Sequence, residues 1–186
     1  MFLLRVITGT AKNRKLKVPG GLKLRPTSDR VKEALFNILG GLVPGCLFLD
    51  MFAGTGNVGI EALSRGAASA VFVKKNRKNA QVIEENLVLT GLRSRARVIN
   101  QDVFKALPVL GREGLLFDLI FLDPPYLKKL EVEALSGIAA NNLLKPQGMV
   151  IVESSSRDLL PPAIDLMKLN RQEKYGDTLL SFYSYK

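Results

Sequence analysis

The chain has no histidine, no tryptophan and one cysteine in 186 residues. Without histidine there can be no Ser-His triad, no Cys-His pair and no imidazole metal ligand. Cys46 alone can neither close an internal disulfide nor build a Cys-rich zinc site, so no metal is expected. Acids are scarce as well, 17 against 27 lysines and arginines, for a formal net charge of +10. An excess of that size points to a polyanionic partner. No stretch approaches the roughly 18 consecutive apolar residues of a membrane span. Met1-Phe2-Leu3-Leu4 meets Arg5 at once and lacks the basic-then-apolar order of a signal peptide. Any chemistry must therefore use carboxylates, amides, hydroxyls, lysine or a bound cofactor. A cytoplasmic protein that does not engage membranes is the default.

What is present suits a folded domain. Hydrophobic residues make up 47% and charged residues 24%, which excludes wholesale disorder. The charge is uneven. Residues 1–33 carry nine bases against Asp29 and Glu33, a net of +7, which leaves +3 for the rest. Apolar clusters at Leu3–Ile7 and Leu16–Val18 flank the basic, turn-like stretch Thr8–Arg14, and this reads as a β-hairpin with a charged tip. A helix follows Pro26, capped by Thr27 or Ser28, with Val31, Leu35, Ile38 and Leu39 at helical spacing until Gly40-Gly41. Residues 1–40 thus read as a basic hairpin-helix extension, too small to stand alone, and 41–186 as the main domain.

From Cys46 onward short apolar runs alternate with helical stretches. Strands are predicted at Cys46–Phe52, Ala70–Lys74, Ala96–Asn100, Phe117–Leu122 and Met149–Glu153. Helices are predicted near Val58–Arg65, Arg77–Thr90, Val103–Leu110 and Lys129–Asn142. Strands apolar throughout and alternating with helices imply a mostly parallel sheet covered on both faces. Met167–Tyr175 and Thr178–Tyr185, joined by Gly176-Asp177, read as a closing hairpin whose last strand runs antiparallel. The expected fold is α/β, a seven-stranded Rossmann-like sheet with the small N-terminal hairpin and helix attached. Tyr175, Phe182, Tyr183 and Tyr185 nearly alternate, which fits sheet packing better than base stacking.

Two segments carry candidate chemistry. The first strand runs into Asp50-Met51-Phe52-Ala53-Gly54-Thr55-Gly56, with Gly59 completing a G-x-G-x-x-G spacing. Such glycines permit a tight strand-to-helix turn and let a ligand approach the backbone, although a ligand-free turn uses the same residues. The second is Asp123-Pro124-Pro125-Tyr126, directly after the fourth strand. Two prolines fix φ and hold a carboxylate, backbone carbonyls and an aromatic ring around one point. That assembly suits the exocyclic amine of a flat base, while a plain rigid turn is the alternative.

Together these segments resemble the S-adenosylmethionine-dependent amino-methyltransferases. The likeness extends through Arg5-Val6-Ile7-Thr8-Gly9, Arg14-Lys15-Leu16, Arg25–Asn37 (RPTSDRVKEALFN), Phe52–Gly56 and Glu61–Ala67 (EALSRGA). Over nearly its whole length the chain resembles the RsmD family of small-subunit ribosomal RNA guanine-N2 methyltransferases. The resemblance implies a methyltransferase domain at 41–186 that uses S-adenosylmethionine. It implies cofactor contacts from Asp50, Phe52, Ala53, Gly54, Thr55, Gly56, Gly59, Asp102 and Asp123, and a catalytic segment Asp123, Pro124, Pro125 and Tyr126. It also implies ribosomal RNA or the small ribosomal subunit as partner of a monomer. The basic N-terminus supplies candidate RNA contacts at Arg5, Arg14, Lys15, Lys17, Arg25, Thr27 and Arg30.

One position departs from the pattern. The second strand should end in an acid that holds both ribose hydroxyls, and here it ends in Lys74-Lys75. An ammonium cannot accept those bonds, so Asn76 is the candidate compensating acceptor at the Lys74 position. Three other readings stay open: an adenine-N6 methyltransferase, a protein glutamine methyltransferase, and a catalytically impaired RNA-binding homologue.

Overall fold

The computed structural model describes residues 4–19, 28–125 and 130–185. Helix α1, Asp29–Leu39, starts where the Ser28 hydroxyl accepts from the Val31 amide, so Ser28 is the cap. Its buried face carries Val31, Leu35, Phe36 and Leu39, and also Lys32. Between the parallel strands β1 Leu47–Asp50, β2 Ser69–Val73, β3 Ala96–Ile99 and β4 Phe117–Leu122 run helices α2 Asn57–Ser64, α3 Arg77–Thr90 and α4 Val103–Arg112. Helix α5, Leu130–Ala140, leads to β5, Leu144–Ser155, which pairs with β4 in parallel. Then come β6 Ala163–Ile164, β7 Met167–Tyr175 and β8 Thr178–Tyr185.

The strand order is β3-β2-β1-β4-β5-β8-β7-β6, with β8 antiparallel to both β5 and β7. The sheet thus has eight strands where seven are expected from the sequence, because the two-residue β6 adds an antiparallel edge beside β7. A strand that short leaves no alternation to read. The aromatic segment of β8 is core: Phe182 and Tyr183 are buried.

The N-terminal segment forms the expected hairpin, closed by Arg5 pairing with Lys15 and by backbone bonds from Val6 to Arg14, Asn13 to Val6 and Leu16 to Leu4. Leu4, Val6, Ala11 and Leu16 join α1, α2 and one face of the sheet in a single apolar cluster with Phe48, Phe72 and Phe121. The opposite face packs Leu49, Val71, Ile120 and Val150 against α4 and α5. Among the described residues, no helix is long and apolar enough to cross a membrane.

Candidate active site

Strand order reverses between β1 and β4, and the crevice outside their carboxyl ends is where open α/β sheets bind ligands. Asp50 ends β1 in register with Phe121, two residues before Asp123. Neighbouring strand ends therefore bring Asp50, the glycine turn and Asp123-Pro124-Pro125 to one edge. Lys74 and Asp102 follow β2 and β3 on that edge.

The Asp50 carboxylate is almost wholly buried and accepts from the Gly59 amide at 3.1 Å. Burial pushes its pKa up to about 7, against the opposing pull of the Gly59 N–H and Lys74. The turn that follows is tight. Gly54 donates to Phe52 at 2.6 Å, Gly56 donates to Ala53, and Gly56 caps α2 with φ 80°. The glycines differ in purpose. A Cβ on Gly59 would stand 2.3 Å from the buried Phe72 ring, so this glycine lets α2 lie against β2. A Cβ on Gly54 would meet nothing nearer than 3.9 Å, so its backbone faces open space. A buried carboxylate beside exposed backbone fits the amino-acid end of a bulky cofactor.

Asp123 is only partly exposed, and its pKa is raised well above the carboxylate range. Burial is the main cause, followed by the negative charges of Glu153, Asp50 and Glu131, with Lys74 opposing. Glu153 is a residue that the sequence reading missed. It is buried on β5, one position beyond Val152, whose partner Leu122 immediately precedes Asp123. The available signal was an acid ending an apolar strand, as at Asp50 and Asp123. Pro124 is buried and Pro125 exposed, while Tyr126 lies outside the described residues.

Lys74 is half-buried, which lowers its pKa, while Asp50 and Asp123 raise it. It is thus the cation whose charge opposes the raised pKa of both crevice acids. The other ribose-side candidates are engaged. Asn76 caps α3 by accepting from Asn79 at 3.1 Å. Asp102 caps α4, accepting from Phe104 at 3.1 Å, and its second oxygen lies 3.1 Å from Lys75 Nζ. Phe52 is partly buried, and Ala53 and Thr55 are buried.

Of the candidate RNA contacts, Arg14, Lys15 and Arg30 are exposed and have no ion pair among the described residues. Arg5 pairs with Asp29 at 3.3 Å and Lys17 with Glu85 at 2.7 Å. Arg25 and Thr27 lie outside the described residues. An open cavity of about 900 Å³ sits at the far end of α2 from the glycine turn, between Thr8, Thr10, Asn37 and Arg65.

The model of the family described as Conserved hypothetical protein 95 matches residues 4–184. The chain belongs to this family, the RsmD family. Ribosomal RNA small subunit methyltransferase D of Escherichia coli K12 is 36% identical over 180 residues, covering 97% of this chain and 89% of the relative. Its namesake in Haemophilus influenzae is 39% identical over 161 residues, 86% of this chain and 83% of the relative. A solved Escherichia coli structure superposes with a TM-score of 0.87 at 34% identity, covering 100% of this chain and 99% of its own. That structure thus matches this chain over the sheet and the N-terminal hairpin region alike.

Proposed function

We propose that this chain methylates the exocyclic N2 amine of a guanine in 16S ribosomal RNA, with S-adenosylmethionine as donor. The observation that carries the reading is the meeting of a glycine turn with Asp123-Pro124-Pro125 at one switch point, in a chain whose N-terminal hairpin exposes Lys12, Arg14 and Lys15. The names of the relatives support ribosomal RNA as the substrate class.

Asp50 and the backbone of Phe52–Gly56 would hold the methionine portion of the cofactor, and Asp102 would meet its adenine. When bound, S-adenosylmethionine supplies a methyl group made electrophilic by its sulfonium. The guanine amine is a poor nucleophile because its lone pair is shared with the ring. Asp123 and the Pro124 carbonyl accept its two N–H bonds, which turns the lone pair out of conjugation and fixes its line of approach. Asp123 also receives the proton released as the nitrogen is alkylated. Stacking of Tyr126 on the base would complete the grip, worth ~1–3 kcal/mol.

A raised Asp123 pKa gives a direction. The carboxylate must be ionised to accept, so turnover rises with pH along an acid limb well above the usual carboxylate range. The test is incubation with labelled cofactor and separate RNA, DNA and protein pools, with Asp123→Ala alongside. Label should enter small-subunit ribosomal RNA alone, and Asp123→Ala should lower the rate by about 10²-fold while RNA binding persists. A second reading, an RNA-binding homologue with little cofactor affinity, rests on Lys74 and is distinguished by calorimetry with the cofactor.

A further inference from the structure

Two fully buried side chains join the basic hairpin to the glycine turn. Lys32 of α1 donates to the Arg5 carbonyl at 2.6 Å and to Asn57 Oδ1 at 2.6 Å, with Glu61 at 3.3 Å. Its three N–H groups thus link the first hairpin strand, the first residue of α2 and a buried acid. Asn86 of α3 accepts from the Lys17 amide at 2.7 Å and donates to the carbonyls of Lys17 and Thr55, each at 3.1 Å. It makes the matching link from the second hairpin strand. Thr55 and Asn57 flank Gly56, so both hairpin strands reach the cofactor turn through one side chain each.

The hairpin owes its position to such bonds. Glu61 accepts from the Ile7 and Thr8 amides at 2.8 and 3.0 Å, and Ser64 bonds the Thr8 carbonyl and the Ala11 amide. Asn57, where the Lys32 link ends, is itself buried, and its Nδ2 has no hydrogen-bond partner among the described residues. Lys12 and Arg14 at the hairpin tip, and Lys15 at the bridge to Arg5, are exposed without ion pairs among the described residues, and are where a polyanion would pull on the hairpin.

We propose that Lys32 and Asn86 are positioning residues that couple the hairpin to the glycine turn, so that RNA on the hairpin and cofactor on the turn strengthen each other's binding. The inference rests on the proposed function, which makes the hairpin the RNA element and the turn the cofactor element. Coupling of this kind is reciprocal: each ligand changes the other's affinity by the same factor.

The test is equilibrium dialysis of labelled S-adenosylhomocysteine against the full chain, with and without purified small-subunit ribosomal RNA. RNA should tighten the nucleoside about tenfold, equivalent to ~1.4 kcal/mol, and the nucleoside should tighten RNA by the same factor. In Asn86→Leu and in Lys32→Met the factor should fall to about one, with RNA affinity at fixed salt kept within about threefold because the tip cations remain. A merely structural role would weaken binding without erasing the ratio. If either variant fails to fold, amide exchange at Thr55 and Asn57 in the unmodified protein decides, and RNA should slow it. The proposal is overturned if both ligands bind but ignore each other, or if both variants keep the tenfold factor. Failure of the unmodified chain to bind RNA or nucleoside at all would instead overturn the functional reading, and this coupling with it.

Discussion

The Gly59 amide donates to the Asp50 carboxylate at 3.1 Å, tying the first turn of α2 back to the strand that precedes it. One N–H does not offset full burial of a charge, which is why the Asp50 pKa stands at about 7. This has a consequence for stability. Below about pH 4 the carboxyl is neutral in both folded and unfolded chains, since an unfolded aspartate titrates near 3.9. Between there and pH 7 only the unfolded chain ionises, so stability falls as pH rises; above pH 7 the loss is complete.

Asp50→Asn isolates that effect. The amide keeps an acceptor for Gly59 and adds a constant, pH-independent offset from its extra donor. Denaturant titrations should show the stability of the variant minus that of the unmodified protein rising by on the order of 3 kcal/mol between pH 4 and pH 7.5. A flat difference would mean that Asp50 is ionised in the fold at ordinary pKa. If Asp50 helps to hold the methionine portion of the cofactor, as proposed, cofactor affinity should fall in the same variant.

Lys74 presents two opposing effects. Glutamate there would accept two bonds from a ribose diol, each charge-assisted and worth ~1.5–3 kcal/mol at most. It would also replace the cation that favours ionised Asp50 and Asp123 with a further negative charge. Lys74→Glu should therefore tighten S-adenosylmethionine about tenfold, or ~1.4 kcal/mol, and move the acid limb of turnover to higher pH. Calorimetry and a pH–rate profile check the two parts separately. Unchanged or weaker affinity would show that another residue already serves the diol.

The sheet was legible wherever an apolar run is bounded by clear turn residues. Strands β4, β7 and β8 and helix α3 lie where hydrophobic pattern and turn residues place them. β5 is longer than its Met149–Glu153 core, because Lys145-Pro146-Gln147-Gly148 looks like a turn. It continues as strand because Phe117 pairs with Leu144 across an irregularity and Lys145 bonds Asp118 at 2.8 Å. The crevice was legible for a different reason: parallel topology alone sends Asp50, Lys74, Asp102 and Asp123 to one edge. Partners far apart in the chain were not legible. Lys32 among Val31, Leu35 and Phe36 looks like a surface residue, yet it is wholly buried against Glu61 and Asn57. Nothing in a linear pattern pairs Asn86 with Lys17 and Thr55.

If Arg14, Lys15 and Lys17 touch RNA phosphates, each contact releases condensed counterions, and affinity falls with salt at a log–log slope of roughly −0.7 to −0.9 per contact. Replacing all three by Ala should weaken RNA binding and flatten the slope by about two to three contacts' worth. Lys17 counts for less than a full contact at low salt, because Glu85 already holds it at 2.7 Å and a phosphate must compete for the ammonium. Without RNA present, cofactor affinity should stay nearly intact. The bonds from Asn86 to Lys17 use only its backbone, which alanine retains, so the glycine turn keeps its support. Folding should survive for the same reason, since all three side chains are exposed. An unaltered salt slope and RNA affinity in the triple variant would show these charges to be solvated surface, and the RNA would then have to meet the protein elsewhere.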